Sequence, residues 1–395
     1  MTFGHTYRFS PRMDHFGFGW ETGRIARAIA LGQGFSNPFH GITGPTAWIA
    51  PAYPYFLAGV FKVFGVYSDA SAWVALAVNS LFSALTCATI YYIGKEIFGP
   101  ESRVSLWSAW VWALLPSQMF WAIRFPWETS LSAYLLSVVV LLMLRQERNA
   151  GLSHWLGFAA LWGAIALSSP ALLSLLPFFG LWWLLRQRDR GKALRHAGAA
   201  ALLFLAINTP WMLRNYYVFG QPVFIRGNFG AEFRMGNGPG ADGNWMFWLH
   251  PTQDPVEYER YRRIGEVAYV SERKREAIEW ISQHPVRFAQ ITAKRVLLFW
   301  AGIPRSEMVA GFDIRDLSEA AFFGSSALSF VGLAMLLRRR LRGSFIFAVS
   351  LLVYPVIYYL TFPHERYRHP IEPLMMLLAL YPISEALESR LKPTS

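Results

Sequence analysis

Long apolar runs without charged side chains constrain this sequence more than any other feature. The clearest run covers residues 104–123, twenty residues with no charge. About 20 such residues cross the hydrocarbon core of a bilayer as a helix. Only 16% of the 395 residues are charged, against about 25% in soluble domains. The pattern excludes a soluble enzyme and a disordered chain, and it predicts an all-α polytopic membrane protein.

Eight further apolar runs predict spans, which gives about nine transmembrane helices, or ten if residues 46–64 also span. The run 154–185 has 32 residues; as one helix it would extend about 48 Å, too long for a hydrocarbon core of about 30 Å. A hairpin turning at Ser168-Ser169-Pro170 is therefore predicted, because proline cannot continue a helix. The segment 46–64 contains prolines and fits either a span or a re-entrant piece. The remaining predicted spans are 71–94, 129–144, 197–213, 319–337, 344–362 and 371–387.

The distribution of lysine and arginine orients these spans. Cytoplasmic loops of membrane proteins are enriched in both residues. One set of short segments holds 15 of them and the alternating set only 3. The net charge of +12 therefore reflects topology, and no nucleic-acid partner is predicted. The predicted cytoplasmic segments are 95–103, 145–153, 186–196, 338–343 and 388–395; the predicted extracytoplasmic loops are 66–70, 124–128, 168–169 and 363–370.

Four regions follow from this pattern. The side of residues 1–65 stays open: if 46–64 spans, residues 1–43 lie in the cytoplasm, and if it does not, they form a first extracytoplasmic loop with interfacial helices, from which an upstream helix would be missing. Residues 66–213 and 319–395 are transmembrane, and residues 214–318 form a long extracytoplasmic loop or small domain. Within the first loop, residues 20–31 have the apolar spacing of an amphipathic helix at the membrane surface. Within the long loop, we expect a soluble helix over 270–290 and a half-inserted helix over 291–303.

Charged side chains that could carry chemistry lie in the predicted extracytoplasmic loops. Glu21 lies in the first loop, Glu128 follows Arg124, and the last loop contains Arg366 and Arg368. The arginine fork suits a phosphate because it donates paired hydrogen bonds. The alternatives are helix N-terminal charges for the two glutamates and interfacial anchoring for the arginines.

Other chemistries have little support in the sequence. No P-loop, HExxH or GxSxG motif in a suitable context occurs. The single cysteine, Cys87, excludes a metal cluster built on cysteine spacing. His364 and His369 alone are a weak signal for a metal ligand pair. We expect no cofactor and no tightly bound metal, with divalent-metal dependence left open.

Four stretches together resemble the GT-C superfamily of integral-membrane glycosyltransferases. The resemblance is to the branch of protein O-mannosyltransferases and aminoarabinose transferases, similar to glycosyltransferase family 39. The order and spacing of the stretches along nearly the whole chain carry it. They are residues 21–26 with 32–36 and 50–58, residues 127–131, residues 209–216 with Gly236-Asn237-Gly238-Pro239 and His284-Pro285, and residues 365–370.

The resemblance implies an activity and a location. The donor would be a sugar on a polyprenyl phosphate, transferred with inversion to a protein, lipid or glycan acceptor of the cell envelope. The site would face the extracytoplasmic side of a bacterial inner (plasma) membrane, among membrane lipids. The family begins with a span before its first loop, so the resemblance implies that residues 1–65 lie on the extracytoplasmic side. Glu21 matches the glutamate of this loop, which in the family acts as the base or positions the acceptor. Trp20 and Gly19 fill the positions where the family often carries an aspartate, and Asp14 is the nearest aspartate.

The remaining site residues follow from the same resemblance and from the charge that develops in such a transfer. A leaving phosphate needs cations, which Arg366 and Arg368 would supply. Tyr367 and Arg214 would help to hold the phosphate or the sugar. Glu128 and Asn237 would line the acceptor cleft.

Two other classes of function compete with this interpretation. A transporter or flippase of lipid-linked sugars would place charged groups inside the spans, and the spans carry almost none. A non-catalytic scaffold would bind a partner through the long loop, where Trp245, Phe247 and Trp248 form a candidate aromatic patch.

Overall fold

The structure, a computed structural model, describes residues 16–303 and 314–391. These residues form helices and no strand, which confirms the all-α expectation. The α-helices are α1 Glu21–Ala30, α2 Ala52–Phe64, α3 Asp69–Phe98, α4 Arg103–Leu114, α5 Pro116–Arg124, α6 Thr129–Arg145, α7 Leu152–Ser168, α8 Leu176–Arg186, α9 Arg190–Phe219, α10 Phe229–Gly236, α11 Pro255–Ile264, α12 Glu266–Gln283, α13 Pro285–Ala301, α14 Ile314–Arg338, α15 Ser344–Leu352, α16 Val356–Leu360 and α17 Glu372–Leu391.

Three of the described helices are long and apolar enough to cross a membrane: α3, α9 and residues Ala320–Arg338 of α14. The pair α5 and α6 gives a fourth if it counts as one span, although the two helices meet at a bend of 119°. Several other apolar helices are shorter. The predicted count of nine or ten spans is therefore not confirmed.

Proline explains why apolar runs that look continuous in the sequence are shorter as helices. The run 104–123 breaks where α4 ends at Leu114 and α5 begins at Pro116. The run 344–362 breaks around Pro355, between α15 and α16. Proline lacks the amide hydrogen that a continuing helix needs and clashes with the preceding turn. Hydropathy measures the length of an apolar run, but proline sets the length of the helix.

The hairpin predicted at Ser168-Ser169-Pro170 is present. A short 3₁₀ helix, Pro170–Leu175, connects α7 to α8. The ring of Trp155, near the start of α7, lies 4.5 Å from that of Trp183, near the end of α8. Helices that bring such residues together must run antiparallel.

Two boundaries in the long loop differ from the expected ones. Helix α9 continues to Phe219, so the start expected at residue 214 falls inside it. The helices expected over 270–290 and 291–303 are instead α12 and α13, with the break at His284-Pro285. Proline is favoured in the first turn of a helix because its missing amide hydrogen needs no partner there.

Ion pairs join four of the five segments predicted to be cytoplasmic. The Arg342 guanidinium donates to the carboxylates of Glu147, at 2.7 Å, and Glu96, at 3.0 Å. Arg186 also pairs with Glu147, at 3.1 Å. This network lies where α6 ends, whereas Glu128 immediately precedes its first residue. Since α6 has 17 residues, about 25 Å of helix separates the two ends.

Candidate active site

Two adjoining cavities lie at the end of the bundle where α6 begins. The larger, about 260 Å³ in volume, we call the hydroxyl cavity after Thr129, Ser132, Ser168 and Ser169, which line it. The smaller, about 130 Å³, we call the carboxylate cavity because it contains Glu21. The cavities share a wall of six residues: Ile49, Glu128, Arg226, Glu232, Arg366 and Tyr367.

A close backbone approach brings the first loop to this wall. Gly19 has a φ of +84°, and a Cβ atom there would overlap the Trp127 ring. Only glycine accepts both the conformation and the contact. Helix α1 begins two residues later at Glu21, where the helix dipole favours a negative charge. The Glu21 carboxylate is thus held in the same cavity as Glu128.

His250, from the long loop, binds the Glu21 carboxylate. Its Nε2 atom lies 3.2 Å from Oε1 of Glu21, and its side chain is 6% exposed. The backbone N–H of Thr252 donates to Nδ1 of the same ring, at 3.2 Å. Because Nδ1 accepts a hydrogen bond, Nε2 carries the proton and donates to Glu21. One carboxylate oxygen of Glu21 is therefore fixed by a single tautomer of His250.

The same contacts keep Glu21 ionised. Burial by itself raises the pKa of this carboxyl group. The hydrogen bond from His250, together with the charge of Arg24, outweighs burial and holds the pKa of Glu21 below its ordinary value. A carboxylate that stays ionised can accept a proton from a hydroxyl group.

Arg366 provides a positive charge in both cavities. Its guanidinium carbon lies 4.3 Å above the centre of the Trp127 ring and 5.1 Å from that of Tyr367. Burial would lower the pKa of Arg366, but Tyr367 and Glu128 raise it above its usual value. Its guanidinium donates a hydrogen bond to the Tyr367 hydroxyl. Within the described ranges it forms no ion pair with a carboxylate at 4.0 Å or less, so its other N–H donors are available to bind an anion.

His364 is a neutral neighbour of Arg366 in the carboxylate cavity. Its Nδ1 atom accepts a hydrogen bond from the backbone N–H of Arg366, at 3.2 Å. Burial, and secondly the Arg366 charge, lower the pKa of His364 to about 3. The ring is therefore uncharged at neutral pH, with the proton on Nε2.

Arg226 and Glu232 form an ion pair in the shared wall. An Arg226 nitrogen lies 3.1 Å from a Glu232 oxygen. Arg226 also donates to the Trp48 carbonyl, at 2.9 Å, and Asn228 donates to Glu232, at 2.8 Å. The pair links the long loop to the first loop beside Arg366.

The structure brings four of the predicted site residues to these cavities. Glu21 lines the carboxylate cavity, while Glu128, Arg366 and Tyr367 line both. Asp14 lies outside the described residues. Among the charged residues and histidines of the lining, four had no assigned role in the sequence-based site: His250, Arg226, Glu232 and His364. His250, Arg226 and Glu232 come from the long loop, where no motif marks them, and His364 was considered only as a weak metal ligand.

Three predicted residues bind protein groups elsewhere. Arg368 is 2% exposed and pairs with Glu372 at 2.9 Å. Arg214 donates to backbone carbonyls of the first loop, at 2.7 Å. Asn237 donates to the Leu360 carbonyl, at 2.8 Å, and accepts from Arg295. None of the three lines either cavity, so their positions support structural contacts and not contact with substrate.

No group of three or more His, Cys, Asp or Glu residues that could hold a metal ion occurs within residues 16–303 and 314–391. Glu21 and His250 pair with each other, and the neighbouring carboxylate Glu232 pairs with Arg226. Independence from a tightly bound metal stays a prediction.

Comparisons with known proteins agree with the resemblance seen in the sequence. Residues 48–213 match a family model described as dolichyl-phosphate-mannose-protein mannosyltransferase. No curated protein sequence matches the chain.

Solved structures with the same fold include two of the oligosaccharyltransferase from Archaeoglobus fulgidus. The first, named AglB, is in complex with an inhibitory peptide and a dolichol-phosphate. It matches with a TM-score of 0.50 and 15% identity, over 95% of this chain and 48% of that chain. The apo form matches with a TM-score of 0.51 and 13% identity, over 96% and 48%. The chain spans about half the length of these proteins.

A weaker likeness is to ArnT from Cupriavidus metallidurans bound to undecaprenyl phosphate. The TM-score is 0.41 and the identity 13%, over 93% of this chain and 73% of that chain. The family model and the oligosaccharyltransferase fold confirm the resemblance to the GT-C superfamily of glycosyltransferases. With its apolar helices, the chain is an integral membrane protein.

Proposed function

We propose that this protein is an inverting glycosyltransferase that moves a sugar from a polyprenyl-phosphate donor to an acceptor of the cell envelope. One observation carries the proposal: Glu21 and Arg366, a carboxylate and an unpaired guanidinium, line the same cavity. Transfer from a sugar phosphate needs a base for the acceptor and a cation for the leaving phosphate. The family model and the lipid-phosphate complex of AglB support a lipid-linked donor.

The reaction follows from these two groups. Glu21 accepts the proton of an acceptor hydroxyl as the hydroxyl oxygen attacks the anomeric carbon of the sugar. The bond between that carbon and the phosphate oxygen breaks, and the phosphate leaves with the electron pair. Arg366 stabilises the charge that develops on the phosphate. One displacement inverts the anomeric configuration.

His250 and His364 assist from opposite sides of this arrangement. His250 fixes one oxygen of Glu21, which leaves the other oxygen to accept the proton. His364, neutral at the pH of the reaction, offers a hydrogen-bond donor beside Arg366. Glu128 lies between base and phosphate in the shared wall and can orient a hydroxyl of the sugar or of the acceptor.

The side of the membrane follows from the charge distribution. The cavities and the Arg342 network lie at opposite ends of α6. The segments that form the network hold most of the short-loop lysines and arginines, which favour the cytoplasm. We therefore place the cavities at the extracytoplasmic face of a bacterial inner membrane. The acceptor is a protein, lipid or glycan that reaches this face.

The test is transfer by the full chain, purified in detergent, from radiolabelled undecaprenyl-phosphate sugars to a membrane and cell-wall extract. Glu21→Gln removes the base and should lower the rate by about 10²–10⁴-fold. Glu272→Gln, which removes a partly exposed carboxylate paired with Arg260, is the control and should leave the rate within about twofold.

Equal rates for Glu21→Gln and the parent would refute the role of Glu21. Labelled lipid that crosses a vesicle membrane without bond cleavage would instead support the transporter hypothesis. Elemental analysis of the purified protein checks the expectation that it holds no tightly bound metal.

A further inference from the structure

The two cavities differ in charge. All four charged residues of the hydroxyl cavity belong to the wall that it shares with the carboxylate cavity: Glu128, Arg226, Glu232 and Arg366. The fourteen residues that line the hydroxyl cavity alone are uncharged. The carboxylate cavity adds Glu21 and two histidines of its own. An anion and a proton-transfer step are therefore expected at the shared wall or in the carboxylate cavity, whereas an uncharged group fits the hydroxyl cavity.

The hydroxyl cavity is rich in groups that bind hydroxyl groups. Eight of its residues carry a side-chain hydroxyl: Thr129, Ser132, Ser168, Ser169, Tyr354, Tyr358, Thr361 and Tyr367. Ser132 and Ser168 donate their protons to helix carbonyls, at 2.8 and 2.7 Å. Their oxygen lone pairs remain available to accept hydrogen bonds. A prenyl chain has no donors for these oxygens, whereas a sugar has several.

Thr129 provides a second, independent observation. The residue is 6% exposed, and its Oγ1 atom lacks a hydrogen-bond partner among the described residues. A buried hydroxyl without a partner costs about 1–3 kcal/mol. Its position in the cavity lining means that a bound polar group can supply the missing partner.

The size and one wall of the cavity fit a sugar ring. At roughly 30 Å³ for each water in the liquid, a volume of about 260 Å³ holds about nine waters, which is enough for a monosaccharide. Tyr358 and Tyr367 stack with their ring centres 4.3 Å apart at 13° and supply aromatic surface for the apolar face of a pyranose.

We propose that the hydroxyl cavity binds the sugar of the donor, that this sugar is an uncharged monosaccharide, and that Thr129 hydrogen-bonds one of its hydroxyl groups. This inference rests on the proposed function and names the substrate class for the same site. With the sugar in the hydroxyl cavity, the anomeric carbon lies at the shared wall, the phosphate lies against Arg366 and the acceptor enters the carboxylate cavity.

The experiment compares the binding of three lipids by the detergent-purified full chain. They are undecaprenyl phosphate, the same lipid carrying glucose or mannose, and the same lipid carrying an aminosugar with an ammonium group. The variant Thr129→Val keeps the shape of the side chain and removes the hydroxyl. Ser130→Ala is the matched control, because Ser130 is also buried with an unpartnered hydroxyl but does not line either cavity.

We expect Thr129→Val to bind the hexose-carrying lipid about fivefold more weakly, the loss for one hydrogen bond. Its affinity for undecaprenyl phosphate should change by less than about twofold, and Ser130→Ala should change neither affinity. The melting temperature of Thr129→Val should equal or exceed that of the parent, because no protein hydrogen bond is lost. The parent should bind the ammonium-bearing lipid at least about tenfold more weakly than the hexose form, since a buried unpaired charge is costly.

If Thr129→Val bound undecaprenyl phosphate and the hexose-carrying lipid equally more weakly, the cavity would be assigned to the prenyl chain and the proposal overturned. Unchanged hexose-lipid affinity in this variant, no gain from either hexose in the parent, or preference for the ammonium-bearing lipid would also overturn it. A parent that binds no lipid phosphate at all would refute the proposed function itself, and the sugar pocket with it.

Discussion

The hydrogen bond between His250 and Glu21 gives the most specific prediction, because it controls when the base is ionised. We consider His250→Phe, which keeps a ring among Phe39, Trp48 and Trp245 and removes the donor. Burial, which raises the pKa of Glu21, then acts without the hydrogen bond that mainly opposes it. The pKa of Glu21 must rise, and the carboxylate must take up a proton at a higher pH than in the parent.

The size of the effect follows from the contact. A hydrogen bond to a charged group contributes about 1.5–3 kcal/mol. The 3.2 Å separation is longer than the 2.7–2.9 Å of strong charge-assisted bonds, so the lower end applies. About 1.5 kcal/mol corresponds to a roughly tenfold change in proton affinity. The base is active only when ionised, so activity is lost as the pH falls through the pKa of Glu21, and removal of His250 moves this loss to higher pH.

The assay is kcat/KM for sugar transfer, measured across the acid and neutral range for the parent, His250→Phe and His250→Gln. The glutamine keeps an N–H donor and should restore part of the parent profile. In the Glu21→Gln background, His250→Phe should have little further effect, because the two residues then act as one unit.

If His250→Phe lowered activity at every pH without moving the pH at which activity is lost, this reasoning would be refuted. Such a result would mean that His250 supports folding or contacts substrate directly. Fully additive effects of Glu21→Gln and His250→Phe on kcat/KM would lead to the same conclusion.

Two further predictions separate catalysis from stability. Arg366→Lys should lower kcat by about 10²-fold with an unchanged melting temperature, because it loses the paired donors for the phosphate. Arg368→Lys should instead lower the melting temperature, because it disturbs a buried ion pair. The reverse pattern would reassign the phosphate site. In α14, Gly332→Ala should destabilise the fold by about 1–3 kcal/mol, because its Cβ would overlap the Leu378 carbonyl. The control Gly324→Ala places its Cβ in open space and should be neutral or stabilising. Thermal unfolding in detergent compares the two variants.

The sequence was informative about the site because charged side chains that could carry chemistry fall in loops on one side of the membrane. A charge costs too much in the hydrocarbon core to lie there without a reason, so charged residues concentrate in loops. The bias of lysine and arginine between alternate loops sorted those loops into two sets. Glu128 and Arg366 fell in one set, the family resemblance added Glu21, and the structure places all three on the carboxylate cavity. The turn at Ser168-Ser169-Pro170 was predictable for an equally local reason.

Arg366 and Arg368 look equivalent in the sequence, and only the tertiary structure distinguishes them. They lie two positions apart at successive 3₁₀ turns, and residues two apart on a helical turn do not share a face. One side chain therefore reaches the cavity and stacks on Trp127, and the other enters the protein and pairs with Glu372. Arg214 and Asn237 resemble Arg368 in this respect, since nearby backbone carbonyls occupy their donors.

The sequence by itself determined an all-helical membrane protein, the sorting of its loops and the residue types of its chemistry, because these depend on local composition and on the energy of burying charge. The tertiary structure decided the partner of Glu21, the division into two cavities and the lengths of the helices. His250 meets Glu21 only because the long loop folds back onto the first loop, a contact between residues far apart in the chain. No local pattern encodes such a contact, since its free energy comes from the packing of the whole chain.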